Sequence, residues 1–207
     1  MALGYYILSA ILSFWKNATP LRKRIYSYVF VLILSIVITF AGTLVPLDTE
    51  TANILSDQIG QTLLENNSFA SLTIAIFVNN CRICLIMFIP IFGAAFGVFS
   101  LFSTGIAINA LSIVQGASSS VMLLSLMIGP IFWIEFVAYS FGMTESIWLF
   151  RRLLQCRWRE LKRTAMLIGI AVSLLAIGAI VESWLILYFP ATADITTASV
   201  LSLFSLR

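Results

Sequence analysis

Amide and ionisable side chains stand inside stretches of this sequence that are otherwise apolar. Asn79, Asn80 and Arg82 interrupt one such stretch, and Glu135 and Glu182 interrupt two others. An ionised side chain near the middle of a bilayer costs about 2.5–3.5 kcal/mol on insertion scales, and it normally faces protein, water or an opposite charge. Such residues can pair with one another, or they can bind an ion or line a polar pathway, so they form the candidate site.

The elements that must position these residues are membrane-spanning helices. Hydrophobic residues make up 60% of the 207-residue chain and charged residues only 10%, whereas about a quarter of a soluble domain is charged. The composition predicts an all-α integral membrane protein with a single transmembrane domain over residues 1–207 and about five spans of roughly 20 residues each. The net charge of +3 is small and the basic residues flank apolar runs, which argues against binding to nucleic acid.

The apolar runs predict spans at residues 25–45, 71–91, 92–114, 130–150 and 165–189. Residues 1–15 are too short for a span and predict an interfacial helix lying on the membrane. The apolar stretch from residue 118 to residue 150 is too long for one span, and Gly129-Pro130 divides it. We expect a short re-entrant or interfacial piece at residues 118–128 before the fourth span, with one helix kinked at Pro130 as the alternative.

Charge asymmetry predicts the orientation of the spans. Basic residues precede the first span and follow the fourth, whereas residues 47–70 contain Asp and Glu but no Lys or Arg. The positive-inside rule therefore predicts a multi-pass protein of the cell membrane with a cytoplasmic N-terminus and an external C-terminus. Residues 47–70 would be an external loop or a weak helix, and the basic segment Arg151–Arg163 would contact anionic lipid headgroups.

The spans bring most of the polar residues to similar depths. At 1.5 Å per residue, Arg82 lies about 16 Å from the outer end of its predicted helix, Glu182 about 10 Å, and Glu135 and Asn109 about 8 Å. Glu145 lies nearer the inner boundary. The outer half of the bundle is thus predicted to hold one intramembrane polar cluster with Arg82 as its cation, made of Asn79, Asn80, Arg82, Asn109, Glu135 and Glu182.

Two interpretations of this cluster remain open. A buried ion pair can be a structural lock, because removing one partner costs about 3–5 kcal/mol. The cluster can also be a functional polar cavity. If Arg82 contacts Glu135, Arg82→Leu should destabilise the protein and Glu135→Leu should partly rescue it.

Glycines and cysteines supply packing rather than chemistry. Gly93 and Gly97 form a G-x-x-x-G pattern, with Gly105 near the same face, so close helix packing is expected. Ordinary packing within the chain is favoured over a dedicated dimer motif. Cys81 and Cys84 are interpreted as small apolar filler, and since the chain has no histidine, neither a metal site nor a cofactor is predicted.

Two segments carry a family resemblance. Asn79-Asn80 followed by the glycine-rich stretch Pro90–Gly105, and then Pro130-x-x-x-x-Glu135-x-x-Ala138, resemble the stage II sporulation protein M family of polytopic membrane proteins. The family typically has Asn-Gly where this chain has Thr104-Gly105, and His-Gly where it has Ile131-Phe132, so no role of that histidine is carried over. The resemblance implies a non-enzymatic membrane component of a larger assembly.

Three classes of function follow from these observations. The first is a membrane scaffold or accessory subunit that binds other membrane proteins or further copies of itself. The second is a small transporter or channel with a polar pocket around Arg82, Glu135 and Glu182, although the five spans show no convincing inverted repeat. The third, an intramembrane enzyme, is disfavoured because neither a nucleophile motif nor a metal-ligand spacing is present.

Overall fold

The computed structural model describes residues 16–64, 68–156 and 160–188, and this part of the chain forms seven α-helices. They are α1 (Pro20–Thr43), α2 (Thr49–Leu64), α3 (Phe69–Met87), α4 (Phe92–Val114), α5 (Ser119–Ile128), α6 (Pro130–Leu153) and α7 (Glu160–Tyr188). The helix predicted for residues 1–15 and the chain after residue 188 lie outside the described residues.

Helix starts follow the local sequence. Thr19 caps α1 by accepting a hydrogen bond from the Arg22 amide at 3.4 Å, and Pro20 occupies the first helical turn, where its missing N–H leaves no bond unmade. Ser68 and Ser71 form a reciprocal capping box at the start of α3. These caps fix where the two helices begin.

The fold is an all-α membrane bundle, as predicted, and the protein is multi-pass. Four helices, α1, α3, α4 and the Leu161–Tyr188 part of α7, are long and apolar enough to cross a bilayer. Helices α5 and α6 meet at an 88° bend and give a fifth crossing if they are counted as one broken span. The bend confirms that residues 118–150 form two pieces rather than one kinked helix. Gly129 is extended there, and Pro130 starts α6.

Helix α6 is the centre of the bundle. Fourteen of its 24 residues are buried, and it contacts α1, α3, α4, α5 and α7. The outward faces of α1 and α7 instead expose large apolar side chains such as Phe30, Val37 and Ile177, as expected of surfaces that face lipid. The polar residues of α6 from Glu135 to Ser146 are therefore enclosed by protein.

The predicted packing glycines all contact other parts of the same chain. A Cβ on Gly105 of α4 would lie 2.7 Å from the Cα of Gly42 in α1, and a Cβ on Gly97 would lie 2.5 Å from the Cγ of Met143 in α6. Gly93 packs against the backbone carbonyl of Met87 in the turn before α4. These contacts fit packing within the chain rather than a motif reserved for a dimer.

The turn between α3 and α4 is tight and apolar, and α6 holds it in place. Ile91 has a φ of 64°, which is uncommon for a residue other than glycine. The Ser146 hydroxyl of α6 donates to the Ile89 carbonyl at 2.6 Å and accepts from the Ala94 amide at 3.2 Å. One side chain thus satisfies backbone groups on both sides of the turn.

The acidic segment expected to be loop-like or weakly helical contains helix α2. Asp48 caps α2 by accepting hydrogen bonds from the Thr51 hydroxyl at 2.6 Å and the Thr51 amide at 3.1 Å. These bonds hold the pKa of the exposed Asp48 carboxyl below its ordinary value. Ala52 and Ile59 are buried, and α2 packs on α4.

Candidate functional site

The first polar site joins α3 to α6. The Asn80 side-chain amide donates a 2.7 Å hydrogen bond to Oε1 of Glu135, and both residues are buried, with exposed fractions of 1% and 4%. The Asn79 amide nitrogen lies 3.4 Å from the Asn80 oxygen. Because α6 begins at Pro130, Glu135 falls in its second turn and faces α3.

A second carboxyl group lies in the same buried region. Glu182 of α7 is fully buried, and both Glu135 and Glu182 interact electrostatically with the phenol of Tyr139. The Tyr139 hydroxyl is buried and has no hydrogen-bond partner within the described chain. Glu135 and Tyr139 of α6 also line the same small cavity.

The cavity beside Glu135 is small. Its volume is about 10 Å³, which is near the minimum needed for one water molecule. A solute larger than water does not fit there. Its lining comes from α4, α5 and α6 and consists of Leu101, Thr104, Ile108, Leu126, Phe132, Glu135, Phe136 and Tyr139.

Asn109 belongs to a different network from Glu135. Its amide donates to the Val45 carbonyl at 2.7 Å, and its carbonyl oxygen accepts from the Ser119 hydroxyl at 2.5 Å. Ser119 also lies 2.7 Å from the Ser112 hydroxyl. Asn109 thus ties the ends of α1, α4 and α5 together.

Arg82 stands apart from both groups. It is exposed, and no carboxylate of the described residues lies within 4.0 Å of its guanidinium. It follows Asn80 by two residues, which places it about 200° around α3 from the side chain that contacts Glu135. The structure therefore does not bring Arg82 together with Glu135 or Glu182, and the predicted single cluster with Arg82 as its cation is not formed.

The buried cation of the described chain is Arg24. Its Nη1 lies 3.0 Å from Oε1 and 3.4 Å from Oε2 of Glu145, and the side chains are 9% and 4% exposed. The Thr164 hydroxyl donates to Glu145 Oε2 at 3.3 Å. This site joins α1, α6 and α7. Sequence reasoning assigned Arg24 to a basic topology signal, although its position inside a helix that starts at Pro20 points to a role in the bundle.

Arginines gather around Trp148 at the same end of the bundle. The guanidinium carbons of Arg24, Arg151 and Arg152 lie 5.5, 6.0 and 5.7 Å from the Trp148 ring centroid, within cation–π range. We call this end, defined by these three arginines, the basic end.

An apolar groove of about 630 Å³ starts at the basic end and runs along α1, α4 and α6. Thr144 is among the lining residues, and its buried hydroxyl has no hydrogen-bond partner within the described chain. Its walls are otherwise mostly apolar, and they include Tyr26, Phe30, Leu34, Val98, Met143 and Trp148.

The cysteines are free thiols. Cys84 is buried, with its sulfur 3.7 Å from the Ala138 carbonyl oxygen, and Cys81 is half-buried. Within the described ranges, no three His, Cys, Asp or Glu side chains are placed to hold a metal ion.

The fold and its polar sites define the class of this protein as an all-α, multi-pass integral membrane protein. No protein-family model, no curated protein and no solved structure matches the chain.

Proposed function

We propose that this chain is a non-enzymatic scaffold or accessory subunit of a larger membrane assembly, similar in role to the stage II sporulation protein M family. The observation that carries the proposal is the use of intramembrane polar side chains as ties between helices. Asn80 joins α3 to Glu135 on α6, and Arg24 joins α1 to Glu145 on α6. Polar residues used in this way build a fixed bundle rather than a passage.

The size of the cavities supports this proposal. The space beside Glu135 is about 10 Å³, far below the roughly 300–1,000 Å³ of typical small-molecule sites. The larger groove of about 630 Å³ has mostly apolar walls, which suit a lipid chain better than a polar substrate.

Extraction with its native neighbours tests the proposal. Mild solubilisation into lipid nanodiscs, followed by quantitative mass spectrometry, should recover other membrane proteins in stoichiometric amounts. The same extraction of a variant that lacks the Arg24–Glu145 ion pair is the control, because it shows which proteins are recovered with a destabilised chain. A monodisperse monomer free of partners would count against the proposal.

A small transporter or channel is the second candidate. Its support is the burial of Glu135, Glu182 and Tyr139 together with the 88° break between α5 and α6, since broken helices often form ion sites in transporters. Proton or cation flux into liposomes that is lost in Glu135→Gln, but kept in the matched exposed variant Glu50→Gln, would favour this candidate over the scaffold.

We infer that the basic end faces the cytoplasm of the cell, with the N-terminus inside and the C-terminus external. Arg151 is exposed and Arg152 half-buried beside Trp148, so the segment Arg151–Arg163 can hold anionic headgroups at about 1 kcal/mol per basic residue. In native mass spectrometry, a larger fraction of the protein should keep bound phosphatidylglycerol than bound phosphatidylcholine. Arg151→Ala combined with Arg152→Ala should remove this difference.

A further inference from the structure

Arg82 lies in the centre of an exposed apolar stripe on α3. The stripe consists of Ile74, Val78, Arg82 and Leu85, spaced four, four and three residues apart, as one face of a helix requires. Val78 is 55% exposed and Leu85 is 42% exposed. One charged side chain thus stands on a surface that otherwise suits lipid or another apolar helix.

Contacts with α6 fix the level of Arg82 in the bundle. The 2.7 Å hydrogen bond between Asn80 and Glu135 places these two residues at the same depth in the bundle. The 3.7 Å contact from the Cys84 sulfur to the Ala138 carbonyl oxygen does the same for Cys84 and Ala138. Arg82 lies between Asn80 and Cys84 on α3. It is therefore level with residues 135–138 of α6.

This level is near the middle of the bilayer. Residues 135–138 precede Arg151 of the basic end by 13–16 residues, which is about 20–24 Å along a helix. In the other direction, Arg82 follows Phe69, the first residue of α3, by 13 residues, or about 20 Å. The sum, about 40–44 Å, matches a bilayer with its headgroups, at about 40–45 Å.

A lone guanidinium at this depth needs a covering partner. Arginine stays protonated in proteins, so it cannot become neutral to avoid the apolar surroundings. Both membrane surfaces lie about 20 Å away along the helix, far beyond the length of one side chain. The side chain is exposed, and no carboxylate of the described residues lies within 4.0 Å of its guanidinium, so we look for the covering group in another molecule.

A second copy of this chain is the wrong occupant. The carboxylates within the described spans are Glu135, Glu145 and Glu182, and all three are buried. A symmetric pair joined through the stripe would place two Arg82 guanidiniums together without an opposite charge, and like charges at an interface are unfavourable.

We propose that the α3 stripe is the docking surface for a transmembrane helix of a different protein, which presents an Asp or Glu side chain to Arg82 near the bilayer centre. Apolar residues one turn to either side of that carboxylate would pack against Val78 and Leu85. The proposal rests on the scaffold function and specifies the chemistry of its partner.

Site-specific photo-crosslinking in native membranes tests this proposal. A photoreactive residue at Val78 should crosslink to a transmembrane segment that contains Asp or Glu. The same probe at Val37 of α1, which is also 55% exposed, should not give that product. Arg82→Leu should lower the yield at Val78 by about tenfold or more, whereas Arg82→Lys should keep most of it.

Charge exchange completes the test. Replacing the partner carboxylate with Lys should abolish the crosslink, and combining that change with Arg82→Glu should restore it. Purified Arg82→Leu should unfold at the same temperature as the wild-type chain or higher, because Arg82 has no hydrogen bond or ion pair to lose among the described residues. A lower unfolding temperature would overturn the proposal.

Three crosslinking results would also overturn it: products with lipid only, products with a second copy, or a yield that Arg82→Leu leaves unchanged. These outcomes are separable from failure of the scaffold function. If stoichiometric partners are recovered but crosslink only from other faces, the scaffold proposal stands and the α3 proposal fails. If partners are not recovered at all, the scaffold proposal itself fails.

Discussion

Breaking the Arg24–Glu145 pair should destabilise the bundle more than any surface change. Arg24→Met keeps an apolar side chain but removes the guanidinium that lies 3.0 Å from Glu145. The Glu145 side chain, which is only 4% exposed, then holds a buried carboxylate without this cation. Removal of one partner of a buried ion pair costs about 3–5 kcal/mol. We expect a loss of that size, because the pair and the Thr164 hydroxyl together hold α1, α6 and α7.

A double-mutant cycle measures the pair directly. Arg24→Met, Glu145→Met and the double variant are compared by reversible unfolding in bilayer-like micelles. The double variant should lose less than the sum of the single losses, by about 2–3 kcal/mol, since it leaves no buried charge unpaired. Arg22→Met, an exposed arginine in the same turn of α1, is the matched control and should change stability by about 0.5 kcal/mol or less.

Two results would refute the reasoning. Additive losses in the cycle would mean that Arg24 and Glu145 do not interact in the folded protein. An equal effect of Arg22→Met would mean that the basic charge near the membrane surface matters, rather than the buried contact.

The other predictions concern packing, the first polar site and a helix cap. Gly105→Leu should cost about 1–3 kcal/mol through overpacking against α1, whereas Gly169→Leu, with open space around its Cβ, should be near neutral in the same thermal unfolding assay. Asn80→Leu should cost about 1–3 kcal/mol, because it removes the 2.7 Å bond to buried Glu135; an unchanged denaturation midpoint would contradict this. Hydrogen bonds from Thr51 lower the pKa of Asp48 in the folded chain. The stability that ionised Asp48 gives to α2 is therefore present above the ordinary pKa of 3.8, and it is lost as the pH falls through the lowered pKa. The protection factors of the amides in the first turn of α2, which correct for the slower intrinsic exchange at lower pH, should fall over that range, and Asp48→Asn should remove this pH dependence.

The helices were largely predictable because their signals are local. The apolar runs and Pro130 place the ends of the predicted spans within about five residues of the observed bounds. The break before Pro130 followed from two signals: residues 118–150 would form about 50 Å of helix, which exceeds a bilayer core of about 30 Å, and Gly129-Pro130 divides them. Residues 47–70 were expected to form only a loop or a weak helix, because the apolar face of α2 is short and depends on packing against α4.

The candidate site was predictable only in part. Glu135 and Asn80 were identified as buried polar residues at similar depth, and the structure joins them. The assignment of Arg82 to the same group relied on depth, which a sequence gives, but pairing also needs the angle around the helix relative to its neighbours. Arg24 was overlooked because a basic residue beside an apolar run is usually a topology signal.

The sequence by itself determined that this protein is helical, lies in the membrane and carries charges within its spans, because hydropathy and helix length are properties of each segment alone. Tertiary structure decided which charges meet, since contact depends on how the helices are rotated and packed around α6. That packing turns Glu135 and Glu145 inward to Asn80 and Arg24, and it leaves Arg82, the most conspicuous intramembrane charge of the sequence, on the outer surface of α3.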